Sequence, residues 1–309
     1  LSRAKFWLRC TAITDWRPTR SWKRARQIIR TFGPDVIVGT GGYVSGPVLR
    51  EGSKLGVKTL THESNAFPGV TTKLLARTAD KVLISVEEAR RFLPSGRDYI
   101  VSGNPVREQI IFADREKARA RLGIGGRICI VSFGGSLGAR RINEAVAGLM
   151  AWEQARGGIY HIHATGSYEK DRFPQQLTTA GVDPKAPGLD IRTYIDDMPD
   201  CLAAADLVIS RAGAMTLSEL EASGTACVLI PSPNVAENHQ YHNARVLEER
   251  GAAVVIEEKN LSPELLRSTV AGLCEEPQTL CRLGKNAQKM AVLDANERIY
   301  REIISLIGT

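Results

Sequence analysis

The chain has 309 residues, 43% of them hydrophobic and 24% charged, with a net charge of +7. This composition excludes a disordered chain, a collagen-like repeat and a small disulfide scaffold, and the length predicts two domains. No stretch approaches 18 uninterrupted apolar residues and no signal-peptide pattern follows Leu1, so neither a transmembrane helix nor a leader is expected. A chain that opens on Leu1 reads as a fragment.

The positive charge is concentrated at one end. Residues 1–30 carry Arg3, Lys5, Arg9, Arg17, Arg20, Lys23, Arg24, Arg26 and Arg30 against a single acid, Asp15, so the rest of the chain is close to neutral. Phe6, Trp7, Leu8, Trp16 and Trp22 interleave with these charges. Three readings fit: a solvated face, a nucleic-acid footprint, or a segment lying on an anionic membrane. Nothing else in the chain resembles a nucleic-acid module, which ranks the membrane above nucleic acid.

In chain order, apolar runs predict strands at 35–40, 58–62, 81–85 and 99–102, then at 127–133, 160–165, 190–194, 207–210, 226–231 and 253–257. Helical periodicity separates them, as at 22–31, 70–78, 139–156, 216–223 and 237–250. Alternating β and α with near-continuous apolar strands predicts parallel sheets covered by helices. Gly103-Asn104-Pro105 is a turn signal, and a fresh strand–glycine–helix unit begins after it. We therefore expect two Rossmann-like domains facing across a cleft, over residues 1–107 and 108–290. A C-terminal helix in 291–309 is expected to pack back on the first.

The six cysteines lack C-x-x-C spacing, and Cys129 and Cys227 fall inside strand-like runs, as small core residues do. His161 and His163 alternate along a strand and should share one face. His239 and His242 lack the glutamate of a metalloprotease motif. No metal and no cofactor is expected.

Three glycine-rich turns follow strands: Gly39–Gly46 (GTGGYVSG), Gly134–Ala139 (GGSLGA) and Arg211–Thr216 (RAGAMT). In each, glycine lets backbone N–H groups approach a ligand and the next helix presents its positive end, which suits a phosphate or diphosphate. None is a P-loop. The second nearly fits the dinucleotide fingerprint, but Glu153, the acid at roughly the required offset of about 20 residues, follows an entire helix, which discounts NAD. Glu219 lies one turn into the helix of the third, where a carboxylate can accept from two ribose hydroxyls; ordinary first-turn helix chemistry explains it equally. His62-Glu63-Ser64-Asn65 ends a strand and suits either acid–base work or a capped turn. The amide-rich run 234–243 suits a sugar or a surface helix start.

Taken in order, VGTGGYVSGP (38–47), HESN with PG (62–69), SGNPVR (102–107), GGSLGARRIN (134–143), YIDDM (194–198), RAGAMTLSE (211–219) and ENHQYHNA (237–244) resemble the bacterial lipid I N-acetylglucosaminyltransferase family, MurG. The resemblance implies a GT-B fold and an inverting transfer of N-acetylglucosamine from UDP-N-acetylglucosamine to the undecaprenyl-pyrophosphate-linked muramyl-pentapeptide, lipid I. The product would be lipid II for peptidoglycan. Carried over position by position, it implies that Ser136 contacts the donor diphosphate region and that Ile195 packs by the uracil and bonds it through its backbone. Ala214, Met215, Thr216, Leu217 and Ser218 would line the ribose and phosphates, Glu219 would hold the ribose hydroxyls and Gln240 the sugar hydroxyls. Asn65 and Arg107 would complete the donor site. Gly41, Gly42, Tyr43 and Ser45 would lie on the acceptor side. Arg3, Lys5, Phe6, Trp7, Leu8 and Arg9 would dock a peripheral protein on the cytoplasmic face of the bacterial membrane, with no nucleic-acid partner.

Three departures stand out. Ser64 and Leu137 replace residues that are often Gln in the family. The family also opens with a strand and a GGTGGH turn whose His is a candidate general base; this chain has none, so at least one βα unit, on the order of 30 residues, is expected upstream. The N-terminal domain should therefore be incomplete, the base unassigned, and His62 and Glu63 the fallback candidates. Other readings remain open: another GT-B glycolipid glycosyltransferase, a nucleotide-sugar 2-epimerase, or a UDP-sugar-binding fragment without turnover.

Overall fold

A computed structural model of the chain describes residues 18–307. They divide into two units, one running to Pro105 and resuming at Asp294, the other spanning Val106–Leu293. The division falls just before Val106 because Val106 and Ile110 are buried in the core of the second unit.

The first unit begins with helix α1 (Pro18–Phe32), whose Ser21, Ala25 and Ile29 are buried at four-residue spacing while its arginines and lysine face outward. A parallel sheet of β1 (Val36–Gly39), β2 (Lys58–Glu63), β3 (Lys81–Ile84) and β4 (Ile100–Val101) follows, in that spatial order. Helices α2 (Ser45–Lys54) and α3 (Val70–Leu75) connect the first three strands. After the second unit the chain returns as α13 (Ala295–Ile307), whose Ile299, Ile303 and Leu306 pack with Val36, Leu60 and Leu83 of this sheet. Lys81 pairs with Glu302 on the same helix.

The second unit opens with two short helices, α4 (Glu108–Ile111) and α5 (Arg115–Arg121). Its six parallel strands are β5 (Ile128–Phe133), β6 (Ile159–Ala164), β7 (Leu189–Arg192), β8 (Leu207–Ser210), β9 (Ala226–Leu229) and β10 (Ala253–Val255). Their spatial order is β10-β9-β8-β5-β6-β7, so the winding reverses between β5 and β8. The connecting helices are α6 (Arg140–Arg156), α7 (Phe173–Thr179), α8 (Met198–Ala204), α9 (Ala214–Ser223) and α10 (His239–Glu249). Helices α11 (Pro263–Glu275) and α12 (Pro277–Met290) close the unit. Both faces of β5, β8 and β9 are covered, one core cluster lying on each side.

All ten expected strands form, with ends close to those expected. Helix 237–250 starts late, at His239, because Glu237 and Asn238 both adopt left-handed backbone with φ of 52°. Helix 70–78 ends at Leu75, and Thr78 N–H then bonds back to Leu75 O in a tighter turn. The span 103–114 contains α4, a helix its composition does not announce.

His161 and His163 do share a face, and it is buried. Both rings meet the Ser132 hydroxyl, at 2.6 and 2.7 Å, and His161 Nδ1 reaches Glu153 at 2.8 Å. The bonds form one chain: His163 Nδ1–H to Ser132 Oγ, Ser132 Oγ–H to His161 Nε2, and His161 Nδ1–H to Glu153. Glu153 is thus a partner of a core histidine. Polar groups buried in an apolar interior are mostly bonded in this way.

Burial holds His163 well below the usual histidine range, aided by the neighbouring His161. Burial also lowers His62, against the opposing effects of the Gly103 carbonyl and Glu63. In both cases the unfolded chain takes up the proton first, near pH 6.5, so stability is intact above that pH and declines as pH falls below it. Thermal melting between pH 8 and pH 5 should show this acid slope, and His163→Gln, which removes one titrating ring, should flatten it. An unchanged slope in that variant would exclude His163 as a source.

Candidate functional site

In an open parallel sheet the strand ends at a reversal diverge and leave a crevice. Here Phe133 of β5 is in register with Ser210 of β8, so the turns GGSLGA and RAGAMT leave the sheet side by side. Glycine is required in the first of these turns. Gly135 and Gly138 have φ of 96° and 91°, and a Cβ on Gly138 would sit 2.3 Å from Thr165 O. The backbone of this turn lies against the β6 exit loop, where Ser167 N–H bonds Ser136 O and Tyr168 N–H bonds Leu137 O. Asn143, buried on α6, donates to Thr165 O at 2.9 Å. Ser136 is exposed at the tip, and its hydroxyl makes no hydrogen bond among the described residues.

The turn after β8 caps α9. Gly213 is the N-cap residue, and the N–H groups of Ala214, Met215 and Thr216 have no backbone acceptor among the described residues. Three such donors at a positive helix end are an arrangement that suits an anion. Met215 is 42% exposed beside them. Leu217 departs from its expected role: its side chain is 4% exposed in the core and its N–H is bonded to Gly213 O, so nothing is left for a ligand. Ser218 is half-buried on the same helix.

Glu219 lies one turn further. Its Oε1 accepts from Arg107 Nη2 at 3.1 Å. Burial raises the carboxyl above its usual range, and Arg107 opposes that shift. Gln240, at the start of α10, accepts from Ser232 N–H through Oε1 at 2.9 Å, which fixes its amide so that the NH₂ group is the free end. Asn243, one turn on and buried, donates to Ala212 O and braces the β8 turn. Ile195 is 3% exposed with its side chain in the core, so packing of that side chain on a uracil is not what the structure provides. Its backbone groups make no hydrogen bond among the described residues and can serve a ligand.

Ser136, Ile195, Ala214, Met215, Thr216, Glu219, Arg107 and Gln240 therefore all belong to the second unit, on the turns and helix starts described above. The sequence reading missed Asn143, Asn243 and Ser232, which hold the turns. The signal was an asparagine on an otherwise apolar helix face.

Asn65 and the GGYVSG turn belong to the first unit. Gly41 and Gly42 have positive φ, Ser45 Oγ donates to Gly42 O at 2.7 Å, and Tyr43 is 73% exposed at the tip. His62 and Glu63 are scaffold rather than free bases. His62 is buried and its Nε2–H donates to Gly103 O at 2.9 Å. Glu63 accepts from the Asn65 N–H, the Asn65 side-chain amide and Gly69 N–H, closing the turn that follows β2. Asn104 adds a bond to Ser64 O. Arg3, Lys5, Phe6, Trp7, Leu8 and Arg9 lie outside the described residues.

Two parallel α/β units, the second with an open helix start at its reversal point, are the architecture of the GT-B class. Residues 129–299 match the glycosyltransferase family 28 C-terminal domain and residues 12–84 its N-terminal domain. A protein of Acetivibrio thermocellus named UDP-N-acetylglucosamine--N-acetylmuramyl-(pentapeptide) pyrophosphoryl-undecaprenol N-acetylglucosamine transferase is 46% identical over 281 residues, covering 91% of this chain and 75% of its own length. The crystal structure of Acinetobacter baumannii MurG superposes with a TM-score of 0.76 at 27% identity, covering 93% of this chain and 78% of that one. S. aureus MnaA, solved with UDP, superposes with a TM-score of 0.71 over 94% and 82% of the two chains; at 12% identity it shares the fold alone. The chain belongs to the MurG family of glycosyltransferases.

Gly138→Ala forces a Cβ onto Thr165 O in backbone that resists it, a strain of about 2 kcal/mol or more. The variant should melt lower and lose affinity for UDP. Wild-type melting and binding together would show that the turn does not need its close approach.

Proposed function

We infer that this chain transfers N-acetylglucosamine from UDP-N-acetylglucosamine to lipid I, the reaction for which its relatives are named. The observation that carries this is the pair of adjacent turns at the β5/β8 reversal, joined to 46% identity with a named transferase. A hydroxyl of the acceptor attacks the anomeric carbon from the side opposite UDP and gives up its proton to a general base, the carbon–oxygen bond to the diphosphate breaks, and the anomeric configuration inverts. The leaving diphosphate gains charge as that bond breaks. The N–H groups of Ala214, Met215 and Thr216 at the start of α9 meet that charge without rearranging, the condition under which fixed dipoles are most effective. Glu219 takes the ribose hydroxyls, the Ile195 backbone the uracil, Ser136 the diphosphate side and Gln240 the sugar hydroxyls through its NH₂ group. Arg107 completes the donor site, and Gly41, Gly42, Tyr43 and Ser45 of the first unit serve the acceptor. Nothing in this chemistry calls for a metal.

The acceptor is a lipid, so the protein works as a peripheral protein at the cytoplasmic face of the cell membrane, held by the basic aromatic segment Arg3–Arg9. Two features of the first unit support a lipid-facing surface. Basic α1 borders an apolar cavity of about 370 Å³ lined by Trp22, Pro47, Thr71, Leu74 and Leu75, with Arg50 stacked over Trp22 at 4.3 Å. Val70 and Leu74 are also exposed beside it. No helix among the described residues is long and apolar enough to cross a membrane.

Incubation with UDP-N-acetylglucosamine and a lipid I analogue should release UDP in step with glycosylated lipid. Release of UDP with free sugar or an epimer and no lipid product would overturn the assignment. Gln240→Ala should raise the donor KM by about tenfold or more, the loss of a hydrogen bond to the sugar. Its affinity for UDP, which lacks the N-acetylglucosamine, should stay unchanged. Equal losses for both ligands would remove Gln240 from the sugar subsite. Leu74→Glu should weaken sedimentation with anionic vesicles while leaving UDP binding intact, and undiminished sedimentation would remove this face from the membrane contact.

A further inference from the structure

Arg107 and Glu219 are brought together by an element with no sequence signal. Arg107 is the N-cap residue of α4, and α4 packs on α9. A helical side chain covers the turn N-terminal to its own Cα, so Glu219 leans toward the start of α9, where the three unpaired N–H groups lie. Its side chain is 19% exposed and that of Arg107 about half exposed. The guanidinium takes Oε1, and Oε2 has no partner among the described residues.

We propose that Arg107 is a positioning residue: it grips Glu219 by Oε1 and so presents Oε2 to the vicinal diol of a nucleoside ribose. This rests on the donor-site reading above and adds how that site is held ready. A carboxylate can accept from a diol only while ionised, and the burial of Glu219 works against ionisation. Besides Glu221 on α9 itself, the charged groups on helices packed on α9 are Glu108 on α4, Asp200 on α8, Arg245, Glu248 and Glu249 on α10, and Arg282, Lys285 and Lys289 on α12. His239 and His242 lie on α10 as well. Among all of these and Arg107, Arg107 alone acts on the Glu219 carboxyl. Its removal leaves burial unopposed, so Glu219 would take up a proton at a higher pH. The competing role for Arg107 is a direct bond to the diphosphate, which would leave the ribose irrelevant to it.

The two roles separate by ligand. The full chain is titrated calorimetrically with UDP and with 2′,3′-dideoxy-UDP at pH 8 and pH 6, as wild type, R107Q, R107K and E219Q. E219Q and R107Q should each weaken UDP by about tenfold, the scale of a charge-assisted hydrogen bond. Neither should weaken the dideoxy ligand appreciably. The R107Q loss should deepen from pH 8 to pH 6, while R107K, which keeps the charge, should follow the wild-type pH profile. Equal R107Q losses for both ligands, or none for UDP while E219Q loses affinity, would overturn the positioning role and leave the donor site standing. An E219Q that binds UDP like wild type would overturn the donor-site reading itself. R107K and thermal melting of each variant separate loss of binding from loss of fold.

Discussion

The parallel pairing of β5 with β8 is the constraint on which the site depends. It sets Phe133 beside Ser210, and the chain must then leave two neighbouring strands at nearly the same level. One turn feeds α6 and the other α9. On its other side the β5 turn lies against the β6 exit loop, and those two backbones can share that space only if side chains are absent from it, which is why a Cβ at Gly138 or Gly166 would meet backbone atoms at under 3 Å. The β8 turn, whose Gly213 is not crowded in this way, leaves the amide groups of Ala214, Met215 and Thr216 without backbone acceptors among the described residues. The sterically constrained turn and the turn with open amides are thus neighbours across the β5/β8 pairing.

Bare turns need support from behind, and buried amides provide it. Asn143 ties the β6 exit to α6, Asn243 ties the β8 turn to α10, and Asn104 ties the turn after β2 to the end of β4. Each of these asparagines is buried and donates to a main-chain carbonyl. Deeper in the second unit, the Ser132–His161–Glu153 chain joins β5, β6 and α6 below the same turns. A buried polar group left unpaired costs about 1–3 kcal/mol, so these bonds disfavour other arrangements of the strands as much as they stabilise this one.

This division of labour explains what could be read from sequence. The strands were legible because β5, β8 and β9 are covered on both faces and must be continuously apolar. The glycine turns were legible because positive φ and close approach leave few alternatives to glycine. Side-chain roles were harder. His62, Glu63 and Leu217 sit in motifs shared with a catalytic family, yet two of them bond the scaffold and the third packs the core. A motif marks where the chain is constrained, and both scaffold and ligand constrain it. The left-handed pair Glu237 and Asn238 was also hidden, because Glu rarely adopts that backbone and gives no turn signal. The helix α4 was missed for the opposite reason: one turn is too short for periodicity to register, and packing alone stabilises it.

The charge balance of the second unit poses a physical problem that its geometry answers. On the proposed reading, a diphosphate ligand would bring negative charge to a site that already holds a half-buried carboxylate, Glu219. The helix end supplies roughly half an elementary charge of the opposite sign, too little to offset both. Replacing the carboxylate by an amide would remove the repulsion but weaken the bonds to a diol, because an ionised acceptor binds hydroxyls more strongly than a neutral one. The Arg107 guanidinium resolves the conflict by local neutralisation. It is planar, it stays charged throughout the accessible pH range, and it occupies one carboxylate oxygen while leaving the other. A lysine would supply the charge without the fixed fork, and an unpaired glutamate would carry the full burial penalty. On the proposed reading, the pair would let one pocket take both a neutral diol and an anionic diphosphate.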